Sequence, residues 1–217
     1  MANGVVEQPK LDHMEVEKVG RSSRTLRVIS YTDYFGDYHV PKLIQAWPMV
    51  ESALEEHGIS CKLNLVKHYM RVSTTKRTRD PDIIDRAREF IQVLSKTEVP
   101  PPTAIRILNG ELHHEYIKTG SQEGGLCSIH GIKKDRFVRQ RTRFRDNKKE
   151  LARLLGCGLY LNGNSVTAVG ISLENVKVAK RAVERCIVEN VNAADLVKVL
   201  DMRLTKALER KLHVLRI

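Results

Sequence analysis

Between positions 133 and 149 the chain places Lys133, Lys134, Arg136, Arg139, Arg141, Arg143, Arg145, Lys148 and Lys149, with only Asp135 and Asp146 against them. A guanidinium offers a planar fork of donors that matches two phosphate oxygens and does not deprotonate, so clustered arginine suits phosphate. These 17 residues carry +7 of the chain's net +11. A second run, Lys67 to Arg79, holds Lys67, Arg71, Lys76, Arg77 and Arg79 with no acid, which leaves the remainder close to neutral. A charge run on its own reads as a solvated helix face. Two runs in an otherwise balanced chain point to a polyanionic partner. Phe137 and Phe144 interleave with the arginines, as base-stacking platforms or, on the preferred reading, as core anchors of an amphipathic segment.

Catalytic chemistry is poorly supported. Cys127-x-x-His130, with His113 and His114 nearby, is the one plausible metal spacing, but structural zinc uses paired motifs with four nitrogen or sulfur ligands. The four cysteines are scattered and outline no disulfide framework. Neither a phosphate-binding G-x-x-x-x-G-K-[ST] loop nor a G-x-S-x-G nucleophile elbow occurs. Asp80, Asp82 and Asp85 could be drawn as the metal cluster of a nuclease. Asp80 is otherwise explained as a helix N-cap, and the other two suit a helix N-terminus through the macrodipole. No cofactor, metal or small-molecule substrate is implied.

These groups need elements to position them. The 217 residues allow one large or two small domains, and the 41% hydrophobic and 29% charged composition is that of an ordinary soluble protein. No stretch approaches the roughly 18 consecutive apolar residues of a membrane span. The first twelve residues lack the apolar region of a secretory signal. The expectation is a reduced, intracellular protein.

Residues 1–23 show no periodicity and read as a flexible leader. Residues 25–30 suggest a short strand, followed by an aromatic stretch containing Tyr31, Tyr34, Phe35 and Tyr38, suited to docking on a partner or on its own domain. Pro41 opens a helix ending at Gly58, with Leu43, Ala46, Val50 and Leu54 on one face and Pro48 expected to kink it or delay its start. Residues 59–66 alternate as a half-buried strand, and Tyr69–Ser73 reads as its hairpin partner. Asp80-Pro81 starts a helix with Ile83, Ile84, Ala87, Phe90, Ile91 and Leu94 on one stripe. The three prolines at 100–102 mark the boundary between halves.

In the second half, residues 103–109 suggest a short helix, 115–119 a strand and 121–131 a loop. The basic segment follows, with Asp146 or Asn147 capping a helix through Leu151, Leu154 and Leu155. Asn162-Gly163-Asn164 between apolar runs signals a hairpin. Ser172 and Asn192 each cap a long helix, the second carrying Leu196, Val199, Leu200 and Leu204 on its buried face. Alternating helices and strands in two similar halves predict an α+β protein of two small domains.

Three separated segments carry a family resemblance: VSTTKRTRDPDIIDRAREFIQVLSK (72–96), DRFVRQRTRF (135–144) and NGNSVTAVG (162–170). Together, and in this order over residues 40–210, they resemble the KRR family of ribosomal RNA assembly proteins. The resemblance implies two tandem KH-like domains, each a small antiparallel sheet covered on one face by helices: a leader over 1–23, a degenerate first domain over 24–100, and a second over 101–217 with the basic segment 133–149 and a C-terminal helix. It implies a non-enzymatic RNA-binding factor of the small-subunit processome, in the nucleus and nucleolus. Its implied partners are small-subunit pre-rRNA, other processome proteins and small nucleolar ribonucleoprotein.

A KH domain usually clamps phosphates with a G-x-x-G loop between two helices. Here the corresponding stretch, Arg143 to Lys148, has no glycine and is shorter, and the first half has no such loop either. The chain also stops soon after its last helix, so it reads as a shortened, divergent member. The RNA-binding candidates are Lys133, Lys134, Arg136, Arg139, Arg141, Arg143, Arg145, Lys148 and Lys149, with Lys76, Arg77 and Arg79 of the first domain touching RNA or, by slight preference, a protein. An adaptor of the same particle, docking through Tyr31–Tyr38 and Leu212, Val214, Leu215 and Ile217, is the alternative; a metal-dependent nuclease is the remote one.

Overall fold

The structure is a computed structural model that describes the backbone of residues 15–19 and 26–214 and the side chains of residues 28–206. The chain divides into two compact units, Met1–Lys96 and Thr97–Ile217. The first contains β1 (Glu15–Val19), β2 (Leu26–Tyr34), a 3-10 turn over Asp37–His39, α1 (Val40–Glu56), β3 (Ile59–Asn64), β4 (Tyr69–Thr74) and α2 (Ile83–Lys96). The second contains α3 (Pro101–Leu108), β5 (His113–Lys118), the single turn α4 (Leu126–Ile129), α5 (Lys134–Leu155), β6 (Gly158–Asn162), β7 (Ser165–Gly170), α6 (Leu173–Ile187) and α7 (Ala193–Val214).

A common plan underlies both. A strand, a helix, a hairpin and a helix recur as β2-α1-β3-β4-α2 and β5-α5-β6-β7-α6, the second with the single turn α4 inserted between β5 and α5. The antiparallel sheets are ordered β1-β2-β4-β3 and β5-β7-β6. In each, the second strand of the hairpin, β4 or β7, lies inside the sheet and takes β2 or β5 on its free edge. That position explains β7, in which all six residues are buried. Its apolar members Val166 and Ala168 join the α5 and α6 stripes in one core with Phe144, Leu151, Val176, Ala179 and Val183. Each fully buried Leu, Ile or Phe contributes roughly 1.5–3 kcal/mol relative to exposure.

In the first unit the α2 side of the sheet is fastened by polar contacts as well. Tyr31 donates its hydroxyl to Asp85 at 3.2 Å and lies under Arg88, 4.9 Å from its ring centre. Asp33 takes Lys96 at 2.9 Å and the Ser95 hydroxyl. The neighbouring positions of β2 and β4 alternate to the opposite face, where Ser30 meets Ser73 at 2.9 Å and the Arg71 Nε donates to Thr32 at 3.0 Å.

Two helix starts act where the sequence places them: Ser172 Oγ accepts the Asn175 N–H at 3.4 Å, and Asn192 Oδ1 accepts that of Ala194 at 3.2 Å. The third is shifted: Asp80 Oδ1 accepts the Asp82 N–H at 3.0 Å in a turn over 80–82, and α2 begins only at Ile83. The hairpin turn is two residues, Gly163-Asn164, with Gly163 at φ +49°.

Several expectations are corrected. Glu15–Val19, inside the expected leader, pair as β1 with β2; the pairing comes from the free edge of β2 rather than from any local pattern. The rest of that leader lies outside the described residues. The strand expected over 25–30 continues to Tyr34, so the aromatic stretch splits: Phe35 is buried, Tyr34 and Tyr38 are exposed. α1 starts at Val40 and runs through Pro48, whose missing N–H leaves the Ile44 carbonyl on an exposed part of the helix, within reach of water. The expected loop 121–131 contains α4, seated by the buried Cys127. On α7, Ala193 and Leu196 are buried, but Val199 and Leu204 are exposed, because the packed part of this helix is its first turns. The side chains of Leu212 and Val214, and residues Leu215 and Ile217, lie outside what is described. The largest correction concerns α5. Asp146 and Asn147 cap nothing; both sit inside one uninterrupted helix of 22 residues.

Candidate nucleic-acid interface

That helix carries the basic run. Its buried residues are Phe137, Gln140, Phe144, Leu151 and Leu155, spaced by three, four, seven and four, which keeps them on one stripe at about 100° per residue. Both phenylalanines are core anchors, 7% and 1% exposed, and neither offers a stacking platform. Gly156, left-handed at φ +62°, ends the helix by returning its N–H to Ala152.

The same periodicity sorts the cations. Lys134, Arg141, Arg145 and Lys148 fall in a row on one flank of the buried stripe, with Lys149 beside them. Arg136, Arg139 and Arg143 fall in a row on the other flank. Lys133 stands just before the first turn, as N-cap. The outer crest between the rows carries Asp135, Val138, Thr142, Asp146 and Lys149, all exposed.

Arg136 behaves differently from its neighbours. It is half-buried and donates from Nη2 to the Val188 carbonyl at 2.7 Å, at the end of α6. One turn on, Gln140 donates to Asn190 Oδ1 at 3.1 Å, with Asn190 itself held at φ +60°. These two bonds fasten the basic helix to the α6–α7 connection. Sequence reasoning missed this anchor, because nothing near Val188 or Asn190 advertises a partner some 50 residues earlier.

Among the described residues, the side chains of Lys133, Lys134, Arg139, Arg141, Arg143, Lys148 and Lys149 have no hydrogen-bonded or ion-paired partner, and Arg145 has only a loose exposed contact to its neighbour Asp146 at 3.6 Å. Carboxylates of this unit pair elsewhere: Glu111 with Arg106, Glu115 with Lys180, Glu150 and Asp201 with Arg153, Glu189 with Arg185, Asp195 with Lys198. Their bonds to Arg106 and Arg153 hold the carboxyls of Glu111 and Glu150 below the usual range. The α5 cations are therefore left uncompensated at the surface.

Lys76, Arg77 and Arg79 are exposed on the loop between β4 and α2, in the other unit. The loop is tied down: Thr75 and Thr78 hydroxyls both donate to the Gly58 carbonyl at 2.7 Å. Lys76 and Arg77 line a cleft of about 460 Å³ with Glu51, Glu55 and Cys61. Its mixed charge suits a phosphate backbone less well than α5 does. Burial, helped by Glu51 and Glu55, pushes the Cys61 thiol up to about 11.

Comparison with known proteins fits this architecture. The family model of the Krr1 KH1 domain matches residues 29–110. Over that stretch the chain is similar to the KRR1 family. Its fold is that of a protein of unknown function from Aeropyrum pernix, at a TM-score of 0.64 and 16% identity over 87% of this chain and 98% of that one. A chain of the a/eIF2alpha–aDim2p–rRNA complex from Pyrococcus horikoshii aligns at 0.64 and 17% identity, over 82% and 96%. Dim2p from the same organism aligns at 0.61 and 18%, over 80% and 98%.

In the first unit α1 joins β2 to its hairpin; in the second the single turn α4 and then the long α5 join β5 to its hairpin. Where a G-x-x-G loop would separate two helices, residues 143–148 of the second unit are helical throughout. Their N–H groups point along the helix, not toward a ligand.

The other candidates are placed as follows. Asp80 closes the turn before α2 through the Asp82 N–H and pairs with Arg86, and Asp85 accepts from Tyr31. Cys127 is buried and bonds the Thr119 carbonyl at 3.0 Å, whereas His130 is exposed. No group of three or more His, Cys, Asp or Glu among the described residues is arranged to hold a metal ion. Among the described residues no helix is long and apolar enough to cross a membrane.

Proposed function

We propose that this protein is a non-enzymatic RNA-binding assembly factor of the small ribosomal subunit, acting on pre-rRNA within the small-subunit processome of the nucleolus. The observation that carries the reading is the uncompensated row of cations on α5, displayed by a rigid helix in a KH-like unit. The KRR1 likeness supports it, as does the fold shared with a chain crystallised with rRNA. Affinity then comes from Arg and Lys contacts to phosphates, driven by release of condensed counterions. Such contacts position a protein without specifying sequence, so the placement of this one depends on RNA shape and on neighbouring processome proteins.

The test is affinity for small-subunit pre-rRNA fragments as a function of salt, for the wild type and for a variant with Arg139, Arg141, Arg143 and Arg145 changed to Gln. Each lost phosphate contact makes the log–log salt slope shallower by roughly 0.7–0.9, so four lost contacts change it by about 3. Equal affinity and equal slope for the two proteins would overturn the reading and leave an adaptor held in its particle by other proteins.

A further inference from the structure

We infer that α5 takes double-helical RNA, seated between two phosphate ridges, rather than a single strand. The inference rests on the RNA-binding reading above and names the substrate class of that same surface. Three observations carry it.

The first is what the site lacks for a single strand. Strand-binding surfaces track one backbone and stack its bases on aromatic rings, or in KH domains clamp the strand with a glycine loop. Here the loop position is helical, and Phe137 and Phe144 are buried under the helix.

The second is the placement of the cations. Lys134, Arg141, Arg145 and Lys148 lie roughly a quarter-turn to one side of the buried stripe, and Arg139 and Arg143 roughly a quarter-turn to the other. The first row runs from Lys134 to Lys148, about 21 Å at 1.5 Å rise per residue. Two rows on opposite flanks of a rod meet two ridges. A single strand has one backbone; a duplex groove has one on each side.

The third is the sign of the crest. Asp135 and Asp146 project between the two rows, with Thr142 between them and Lys149 alone as a cation at the C-terminal end of the crest. A single strand lying along the crest would bring its phosphates against two carboxylates for that one lysine. In the wide, shallow minor groove of A-form RNA the crest faces the floor instead, where 2′-hydroxyls are exposed. Carboxylate and threonine oxygens accept hydrogen bonds from those hydroxyls, while the flanking cations reach the phosphates.

The experiment uses the full chain with two probes: a blunt-ended RNA duplex of about 20 base pairs and an oligouridylate of the same length. Counting both rows with Lys149, a duplex engages about seven cations and gives a log–log slope near −6; a strand tracking the longer row engages about five and gives a slope near −3.5. Tighter binding of the duplex at about 0.15 M salt is expected. The variant Arg139→Gln/Arg143→Gln is expected to make the duplex slope shallower by about 2 and to leave the oligouridylate slope unchanged. Oligouridylate binding as tight as the duplex, or an equal effect of the variant on both probes, overturns the inference and leaves the RNA-binding reading standing. Failure of both probes to bind overturns both.

Discussion

Arg136 and Arg139 are three residues apart in one basic run, yet the structure gives them different work. Arg136 donates to the Val188 carbonyl at 2.7 Å at the C-terminal end of α6, where the unsatisfied carbonyls favour a cation. Arg139 is exposed and, among the described residues, unpaired. Changing Arg136 to Gln removes a hydrogen bond from a charged donor, worth about 1.5–3 kcal/mol. In a chain of this size that lowers the thermal midpoint of the affected unit by roughly 3–10 °C. Changing Arg139 to Gln removes only a solvated charge, with an effect on stability within about 0.5 kcal/mol. For RNA the order reverses: Arg139→Gln makes the salt slope shallower by about 0.9 on a duplex, and Arg136→Gln leaves it unchanged. Calorimetry and salt-dependent binding on the two purified variants read both quantities. An unaltered midpoint with a shallower slope for Arg136→Gln would refute the division of roles, and with it the docking of α5 on the α6–α7 connection.

Two further outcomes concern stability. Gly58 sits at φ +71°, and a Cβ there would lie 2.6 Å from the Arg77 carbonyl carbon. Gly58→Ala therefore combines about 1–2 kcal/mol of left-handed strain with a backbone clash that displaces the Thr75 and Thr78 bonds; urea unfolding should show the first unit weakened by at least about 2 kcal/mol, and an unchanged midpoint would contradict the close approach. Burial pushes the Cys186 thiol up to about 11, as it does that of Cys61. The folded state thus holds both thiols neutral, so their contribution is complete below the ordinary thiol value of 9.0 and is lost as pH rises toward 11. The fall in thermal midpoint between pH 9 and 11 should be smaller in the Cys61→Ala/Cys186→Ala protein than in the wild type, and an equal fall would count against buried thiols as the cause.

Much of the molecule is decided over a few residues and is therefore readable along the chain. The Asn162–Asn164 turn and the Ser172 and Asn192 caps each act within about four residues, and each appears in the structure, while Asp80-Pro81 forms a turn two residues ahead of its helix. The α+β class and the two-sheet plan followed from periodicity together with the KRR resemblance. The nine basic residues of 133–149 were equally plain as composition, because charge needs no neighbours to be counted.

Their division into two rows and one structural clamp was not. Asp146 and Asn147 are good caps by type, and a reader of the sequence ends a helix there; the buried stripe from Phe137 to Leu155 holds a single helix through them, because Phe144 and Leu151 pack into the same core on either side. β1 likewise has no pattern of its own and exists through the open edge of β2. Which carboxylates neutralise which cations was also hidden, since Glu115 meets Lys180 and Asp201 meets Arg153 across long stretches of chain. The sequence determined how much positive charge this protein carries and which segments carry it. Tertiary packing decided which charges remain unpaired and which way they face, because both depend on contacts between residues distant along the chain.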